Sequence, residues 1–547
     1  MACLNHRNNI KYFSAILILA AVISGCQDPD KNADFDSLTM PVDLNTDIGS
    51  VALFHEFDAV NITGFGIVAN LPGTGSAECD PDLRPVLAKY IRQQMGGKVK
   101  IDAHRFISSP NTAVVRVDGT IPSVAVEGQK FDITVTALSS TQTTSLDGGT
   151  LYTTKLMQRQ GYVSFSQFGK TLATAAGPIY IDKLGDTKVN LKSAYIIGGG
   201  TVKMPVKLSL FLRNPNFMMS NAVRNRINER FGPKTARAVS AGEIQIKFPP
   251  EYNHQKARFL EMIRSLYLTN DRQTQTKRIK QLVDQLRTAK NKLKSEIALE
   301  AIGRTALDDL VGLLDDPDES VRFFVARCML RIGDNRSPAT LREIIADRNS
   351  RYRLAAVNAI GSGARRNDAI AILSTVLGDD DFAIRFAAYE QMVKLEDISV
   401  SQTPIAGGFT VDNVLHSGKK IIYASRSGSA KVVLFGAPIY CEKDIFVETE
   451  GGEIVINGVP GEKYVSLMRK HPQKPTLIGP LKSTFNVKDI IKTLCRRAGR
   501  SENKTLRPGL GVSYSEMLAL LQQMCQSGAI KAEFIAEGVS GTDNIGR

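Results

Sequence analysis

The sequence lacks the short patterns by which most hydrolases, kinases and zinc enzymes are recognised. It has no HExxH, no GxSxG and no GKS or GKT motif, and its six histidines are isolated from one another. Beyond the first thirty residues it has five cysteines with no CxxC spacing and no histidine neighbours, so no metal site is predicted. No carboxylate pair is singled out either. We therefore expect no catalytic residues, no cofactor and no enzyme activity.

The same five cysteines carry no pairing information. An oxidising compartment allows a disulfide, and Cys495 with Cys525 is one pair that the sequence permits but does not establish.

The N-terminal apolar run, residues 12–23, is too short to span a bilayer but has the length of a secretory signal. Arg7 and Lys11 precede it, and it ends in Ile23-Ser24-Gly25-Cys26, which resembles the lipobox of bacterial lipoproteins. We predict a signal peptide over 1–25, lipidation at Cys26 and a polar tether over 26–46. The alternatives are an ordinary cleaved signal with a chance cysteine, or a plain transmembrane anchor.

The residue after Cys26 is a glutamine rather than an aspartate. By resemblance to enterobacterial lipoprotein sorting, this favours the outer membrane.

Length and charge set further bounds. A chain of 547 residues exceeds one ordinary core, and its composition, 43% hydrophobic and 23% charged, is that of a globular protein. The net charge of +14 favours anionic surroundings, and by charge alone nucleic acid, cell-wall polymer and acidic lipid head groups all stay open.

Residues 47–275 alternate strand and helix patterns, which predicts an α+β fold. A glycine-punctuated run at 62–75 reads as a strand that enters a tight loop, and period-two runs at 112–117 and 131–137 predict half-buried strands. Two later helices are predicted to turn one apolar face inward, with Val223, Ile227 and Phe231 on the first and Phe259, Ile263 and Leu266 on the second.

Several blocks of this region resemble the bacterial flagellar P-ring protein family. They lie in the same order as in that family, at residues 62–75, 126–135, 145–151, 227–238 and 259–266. The resemblance implies a structural subunit of the flagellar basal body. Many copies would assemble through head-to-tail contacts into a periplasmic ring around the rod, acting as a bushing for rotation.

From residue 276 to 400 the pattern becomes helical. Seven basic residues at 277–294 read either as a solvated helix face or as a surface for an anionic partner. An internal repeat follows, in which Arg322, Arg353 and Arg385 recur at intervals of 31 and 32 residues. Each unit has an apolar helix, an acidic turn and an alanine-rich helix, which is similar to short HEAT-like repeats. An ordinary helical bundle is the alternative.

Residues 401–485 predict a small β-domain, and 486–547 predict two helices and a short strand. The run 510–535 again resembles the C-terminus of the P-ring family. The predicted fold class is therefore multidomain α+β: P-ring-type domains, a HEAT-like solenoid insertion and a small C-terminal β/α domain.

Three local motifs suggest chemistry and are interpreted structurally. Gly64-x-Gly66-x-x-Ala69 fits a dinucleotide fingerprint but is not followed by a helix, so we predict a structural turn. The run 71–75 spells a sortase signal without the apolar tail that such a signal needs. The acidic clusters at 315–318 and 379–381 lack the glycine and glutamate of a calcium loop and are predicted to be turns between helices.

The function predicted from the sequence is a P-ring structural subunit in the periplasm, part of the flagellar basal body and anchored by lipid to the outer membrane. Its expected partners are further copies of itself, rod and L-ring components, peptidoglycan or outer-membrane lipid, and an unidentified protein at the HEAT-like repeats; nucleic acid is not among them. The alternative is a lipid-anchored envelope scaffold outside the flagellum, and an envelope enzyme is a third reading.

Overall fold

The computed structural model describes residues 46–538, apart from 55–58, 95–101, 159–169, 185–188, 205–207, 254, 416–417, 472–475 and 501–505. The predicted signal peptide, the lipidation site Cys26 and nearly all of the tether lie outside the described residues. Within them, no helix has the length and apolarity that a bilayer crossing requires.

The described elements combine helices and sheets throughout the chain. The strands are β1 Ala52–Phe54, β2 Val60–Ala69, β3 Ala113–Ile121, β4 Lys130–Ala137, β5 Thr150–Gln158, β6 Thr171–Pro178, β7 Ser193–Val202, β8 Leu208–Leu212, β9 Ala236–Ala238, β10 Glu243–Ile246, β11 Val400–Ile405, β12 Phe409–Val414, β13 Ile421–Ala424, β14 Lys431–Phe435, β15 Ile445–Glu448, β16 Ile454–Gly458, β17 Val465–Lys470, β18 Leu477–Ser483, β19 Gly499–Arg500, β20 Leu506–Arg507 and β21 Glu533–Ala536. The α-helices are α1 Ile48–Val51, α2 Leu83–Gln94, α3 Ala103–Ile107, α4 Phe217–Phe231, α5 Lys256–Arg264, α6 Arg272–Thr288, α7 Leu293–Ile302, α8 Leu307–Leu310, α9 Glu319–Ile332, α10 Ser337–Ala346, α11 Arg353–Gly363, α12 Arg366–Ser374, α13 Phe382–Lys394, α14 Val487–Cys495 and α15 Tyr514–Gln526.

A closed six-stranded barrel occupies the first part of the chain, in the order β2-β3-β4-β7-β6-β5. Side chains alternate across its wall, as a strand period of two requires. Val68 points into the barrel core, whereas its neighbour Ile67 packs outward against the cover formed by α2 and α3. The strand predicted to enter a loop within 62–75 is therefore confirmed: residues 62–69 belong to β2, and residues 70–75 follow outside any strand.

The glycines of β2 permit a close approach between strands. A Cβ at Gly66 would lie 2.0 Å from Thr154 Oγ1, and one at Gly64 would lie 2.3 Å from the carbonyl oxygen of Lys155, both on β5. The fingerprint-like spacing thus lies within strand β2, so the turn predicted at these residues is wrong; the glycines are there because β5 approaches the strand closely.

A second sheet, β1-β8-β10-β9, packs on helices α1, α4 and α5. Asn216 caps α4 by accepting a hydrogen bond from Met218 N, and Gly232 with φ 99° ends it. The six side chains predicted to face inward from α4 and the following helix are all buried. The predicted α+β class is confirmed for this region.

Eight helices, α6 to α13, form the predicted repeat region around one core. The acidic clusters are turns between helices, as predicted: Asp318 caps α9 and Asp381 caps α13, each accepting a backbone hydrogen bond. An aspartate at the N-cap stabilises a helix by roughly 1 kcal/mol.

The basic segment before the repeats differs from the solvated face that its pattern suggests. The single helical pattern is split, because α6 ends at Thr288 and α7 begins at Leu293. Two of its seven basic side chains are buried: Arg278 lies over the Tyr267 ring at 3.6 Å, and Lys292 donates to the carbonyl oxygens of Leu286 and Arg287. Helical periodicity in the sequence did not distinguish these two buried basic side chains from the other five.

The C-terminal part has two sheets on one core. A five-stranded sheet has the order β11-β12-β14-β13-β21, and an antiparallel meander runs from β15 to β18. Strand β21 pairs in parallel with β13, and α14 and α15 pack against both sheets. The segments predicted as 401–485 and 486–547 therefore share one hydrophobic core. Ser513 caps α15 in a capping box with Glu516.

The barrel yields a first test. We expect Gly66→Ala to destabilise the protein by roughly 1–3 kcal/mol, because the new methyl group overlaps Thr154. Thermal unfolding followed by circular dichroism measures the effect. Gly312→Ala is the matched control, since a Cβ there meets no atom within 4 Å. Equal midpoints for the two variants would contradict the close-approach role.

Candidate functional site

The candidate functional features of this chain are the joints between its parts, and the first is helix α7. Its residues Ile297 and Ala301 belong to the core of the β1-β8-β10-β9 subdomain, whereas Ala298 and Leu299 belong to the repeat core. A helix with both faces covered cannot act as a linker. The repeat array is therefore joined rigidly to the preceding α+β region.

A buried cluster of charges lies at the same joint. Glu296 on α7 accepts hydrogen bonds from Arg327 of α9 at 2.7 and 2.5 Å, and it pairs with Arg258 of α5 at 3.0 Å. Glu300, one turn later, pairs with Arg258 and lies 3.8 Å from Arg331. Both carboxylates are nearly inaccessible to water. Three helices from two regions are thus held by one network.

Excess positive charge marks this cluster. Three arginines face two glutamates, and a fourth, Arg230 of α4, donates to the carbonyl oxygens of Glu300 and Ala301. Burial, followed by the neighbouring Arg258, lowers the pKa of Arg331 from its ordinary value. Burial also raises the pKa of the adjacent Cys328 thiol, which stays protonated.

The second joint lies where the repeats meet the C-terminal sheets. The hydroxyl of Tyr389 on α13 donates to the buried Asp412 of β12 at 2.6 Å, and Gln402 donates to the same carboxylate oxygen. Burial, followed by the Asp412 charge, raises the pKa of Tyr389, so the phenol remains a donor. Phe386 packs on Tyr423 with ring centroids 4.5 Å apart. This joint is also continuous with the repeat core.

The third joint lies where the C-terminal part contacts the barrel. Asp132 of β4 accepts hydrogen bonds from Gly428 N, in the β13–β14 turn, at 2.9 and 3.0 Å. Arg426 of that turn pairs with Asp182, and Ile181 N donates to Ser515 Oγ at 3.0 Å. Lys256 of α5 donates to the carbonyl oxygen of Val124, between β3 and β4, at 2.8 Å. Barrel, α+β subdomain, repeats and C-terminal sheets therefore form a closed circuit of contacts.

A cleft of about 740 Å³ lies beside this third joint, between the barrel and the C-terminal part. Its walls hold the ion pairs Lys183–Asp147 and Arg469–Glu516, each 2.6 Å long. Each pair joins residues of one wall. Asn70 and Pro72, from the glycine-punctuated run at 62–75, also line the cleft.

The described cysteines are free thiols, Cys495 and Cys525 among them. Burial raises the pKa of Cys525 to about 11 and that of Cys495 well above its ordinary range, so both stay protonated near neutral pH. The pairing that the sequence permitted does not occur in the structure.

Glu296 and Glu300 were not predicted as functional residues. Their signal is visible afterwards: two acids four residues apart on a helix that is otherwise nearly all apolar from Ile297 to Ile302. A buried carboxylate requires a partner, but Arg258 and Arg327 lie 38 and 31 residues away from Glu296 in the chain. The sequence offers no means of pairing them.

The first joint yields the second test. Glu296→Ala should destabilise the protein by about 3–5 kcal/mol, because it leaves the buried Arg327 without its carboxylate and leaves Arg258 with Glu300 alone. Asp380→Ala is the control: its pair with Arg348 is exposed on both sides and should contribute about 1 kcal/mol or less. Thermal midpoints measure both. Similar losses in the two variants would show that the cluster is not a structural joint.

Comparison with known proteins gives two family matches. Residues 47–280 match the flagellar P-ring protein family, and residues 279–361 match HEAT repeats. The two matches meet where α6 lies, next to the joint at α7. Both resemblances noted in the sequence are thereby confirmed for these segments, and the likeness of residues 510–535 to the P-ring C-terminus stays a prediction.

Individual proteins named as flagellar P-ring proteins are also similar to this chain. The chain is 32% identical over 236 residues to flagellar P-ring protein 2 of Hahella chejuensis, covering 40% of this chain and 58% of the relative. It is 30% identical over 227 residues to the flagellar P-ring protein of Helicobacter pylori, covering 40% and 60%. The match thus spans somewhat over half the length of these relatives. Residues 47–280 of this chain are thus similar to the flagellar P-ring protein family, and residues 279–361 are similar to HEAT repeats.

Proposed function

We propose that this protein is a structural subunit of the flagellar P ring, assembling around the rod in the periplasm as a bushing for rotation. The match of residues 47–280 to the flagellar P-ring protein family carries the proposal. The proposal assigns residues 47–275 to assembly, residues 276–400 to partner binding, and no step of catalysis to any residue.

The joints support a load-bearing role. A bushing must keep its shape under torque, and the closed circuit of contacts ties every described part of the chain to two others. Cores that are continuous through α7 and α13 resist relative movement better than polar domain interfaces do.

The HEAT repeats are the proposed site for a further partner, either another ring component or an envelope protein. Solenoid repeats offer extended surfaces of this kind. Rod, L-ring, peptidoglycan and outer-membrane lipid are the remaining proposed neighbours, and the basic composition suits the anionic ones.

A lipid anchor at Cys26 is the third part of the proposal. The lipobox-like Ile23-Ser24-Gly25-Cys26 supports it, and residues 26–46 would connect the lipid to the first described element.

The HEAT match also favours a second candidate, a lipid-anchored scaffold outside the flagellum that presents the repeats to partners. The two candidates differ in where the protein is found and in what its deletion does.

Purified basal bodies test the leading proposal. We expect mass spectrometry to find this chain in them in amounts comparable with other ring subunits, and we expect a deletion strain to lose swimming motility. Absence from basal bodies together with normal swimming would favour the scaffold instead. Complementation with the full chain is the control for the deletion.

Lipidation has its own test. Cells fed labelled fatty acid should incorporate label into this protein, and Cys26→Ala should abolish incorporation because it removes the acceptor thiol. Cys79→Ala is the matched control and should keep the label. Undiminished label in the Cys26 variant would refute the anchor.

A further inference from the structure

Large exposed apolar side chains concentrate in two places on this protein. One group lies at one end of the β1-β8-β10-β9 subdomain and comprises Leu53, Phe211, Phe217, Met218 and Val239; we call it the basic-rimmed patch. The other comprises Phe446 and Val459, at the first hairpin of the C-terminal meander, and Tyr440, five residues before that hairpin; we call it the acidic-rimmed patch. Clusters of this kind on a soluble surface mark interaction sites.

Backbone contacts connect the residues of the basic-rimmed patch. Leu53 and Phe211 lie opposite each other on β1 and β8. Asn216 N donates to the Ala241 carbonyl oxygen at 2.9 Å, which brings the first turn of α4 against the turn that begins at Val239. The side chains of Phe217 and Met218, in the first turn of α4, are 69% and 56% exposed.

The rim of this patch is positive. Arg213 lies between Phe211 and Phe217 in the chain, and Arg237 lies on the edge strand β9, two residues before Val239. Both are exposed, and neither forms an ion pair within the described residues. The nearby Glu243, which accepts a hydrogen bond from Ser209, is one carboxylate against these two guanidinium groups.

The acidic-rimmed patch has the opposite charge. Strand β15 is an edge strand with Ile445 and Val447 buried, while Phe446, which is 66% exposed, and Glu448 point outward. The pairing of Ile445 with Gly458 places Val459 beside Asp444. Residues 442–448 carry three carboxylates and one lysine, and the carboxylate of Glu442 pairs with Lys531 at 3.0 Å. Asp444 and Glu448 are therefore the acids available to a partner.

We propose that these two patches bind each other between neighbouring copies of this chain, the basic-rimmed patch of one copy against the acidic-rimmed patch of the next. An aromatic and methionine centre with an arginine rim is the composition of protein interfaces, and the rims are complementary in charge. Because the patches lie on different sheets, the contact is heterologous and repeats from copy to copy. The inference rests on the proposed ring assembly and names the surfaces that build it.

Sedimentation velocity of the full chain tests the proposal. Phe217→Ser and Phe446→Ser should each weaken self-association at least about tenfold, so that each variant alone sediments as a monomer where the unaltered chain forms oligomers. A mixture of the two variants should form dimers and nothing larger, because each variant brings the one patch that the other lacks. Ile398→Ser, at a side chain 92% exposed outside both patches, is the control and should associate normally.

Exchanging the charges of the two rims tests the same contact independently. Arg237→Glu and Glu448→Arg should each weaken association, and the double variant should regain part of it. Unchanged thermal midpoints would show that the variants remain folded.

The outcomes are decisive. An unaltered chain that is monomeric at every concentration, variants that associate normally, or a mixture that stays monomeric would each overturn the proposed contact. Loss in only one of the two serine variants would indicate a self-complementary contact and overturn it as well. If any of these results is obtained but the chain is found in basal bodies, the proposed function stands and only the proposed contact is wrong. If the chain associates through the patches but is absent from basal bodies, the proposed contact stands and the proposed function is wrong.

Discussion

The rest of the structure depends on the burial of two carboxylates, Glu296 and Glu300, among arginines from three other helices. Charges removed from water are costly unless they are paired and hydrogen-bonded with good geometry. Here the geometry exists only when α5, α7 and α9 are all in place. The α+β region and the repeat array are thus not two independent folds joined by a peptide. Each completes the interior of the other.

The joint explains why the P-ring-type region and the repeats meet without a spacer. The family match ends at residue 280 and the repeat match begins at 279, inside helix α6. A flexible insertion would need polar, glycine-rich or proline-rich residues at this point. Instead Arg278 and Lys292, which by composition would be surface residues, are buried and hydrogen-bonded to backbone carbonyls. Their long side chains fill the transition from one core to the next.

Local patterns in the sequence predicted most of the elements, because strand alternation, helical periodicity and caps are written in neighbouring residues. The inward faces of α4 and of the helix after it, and the turns between helices at 315–318 and 379–381, are examples. Contacts between residues far apart in the chain could not be predicted from these local patterns. The closure of the barrel, the pairing of β21 with β13 and the carboxylate–arginine joint each depend on residues far apart in the chain. Arg278 and Lys292 were interpreted as exposed because charge and period alone do not report which helix lies opposite.

The closed circuit of contacts also bears on how this array can evolve. A free solenoid can gain or lose a repeat at little cost, since each unit touches only its neighbours, and its exposed ends need polar capping units. Here the β1-β8-β10-β9 subdomain packs on α7 at one end and the sheet that contains Asp412 packs on α13 at the other, so the flanking domains are the caps. Adding or deleting one unit would shift the C-terminal sheets by a helix pair and separate Gly428 from Asp132 on the barrel. The number of repeats is therefore fixed by the span between two joints.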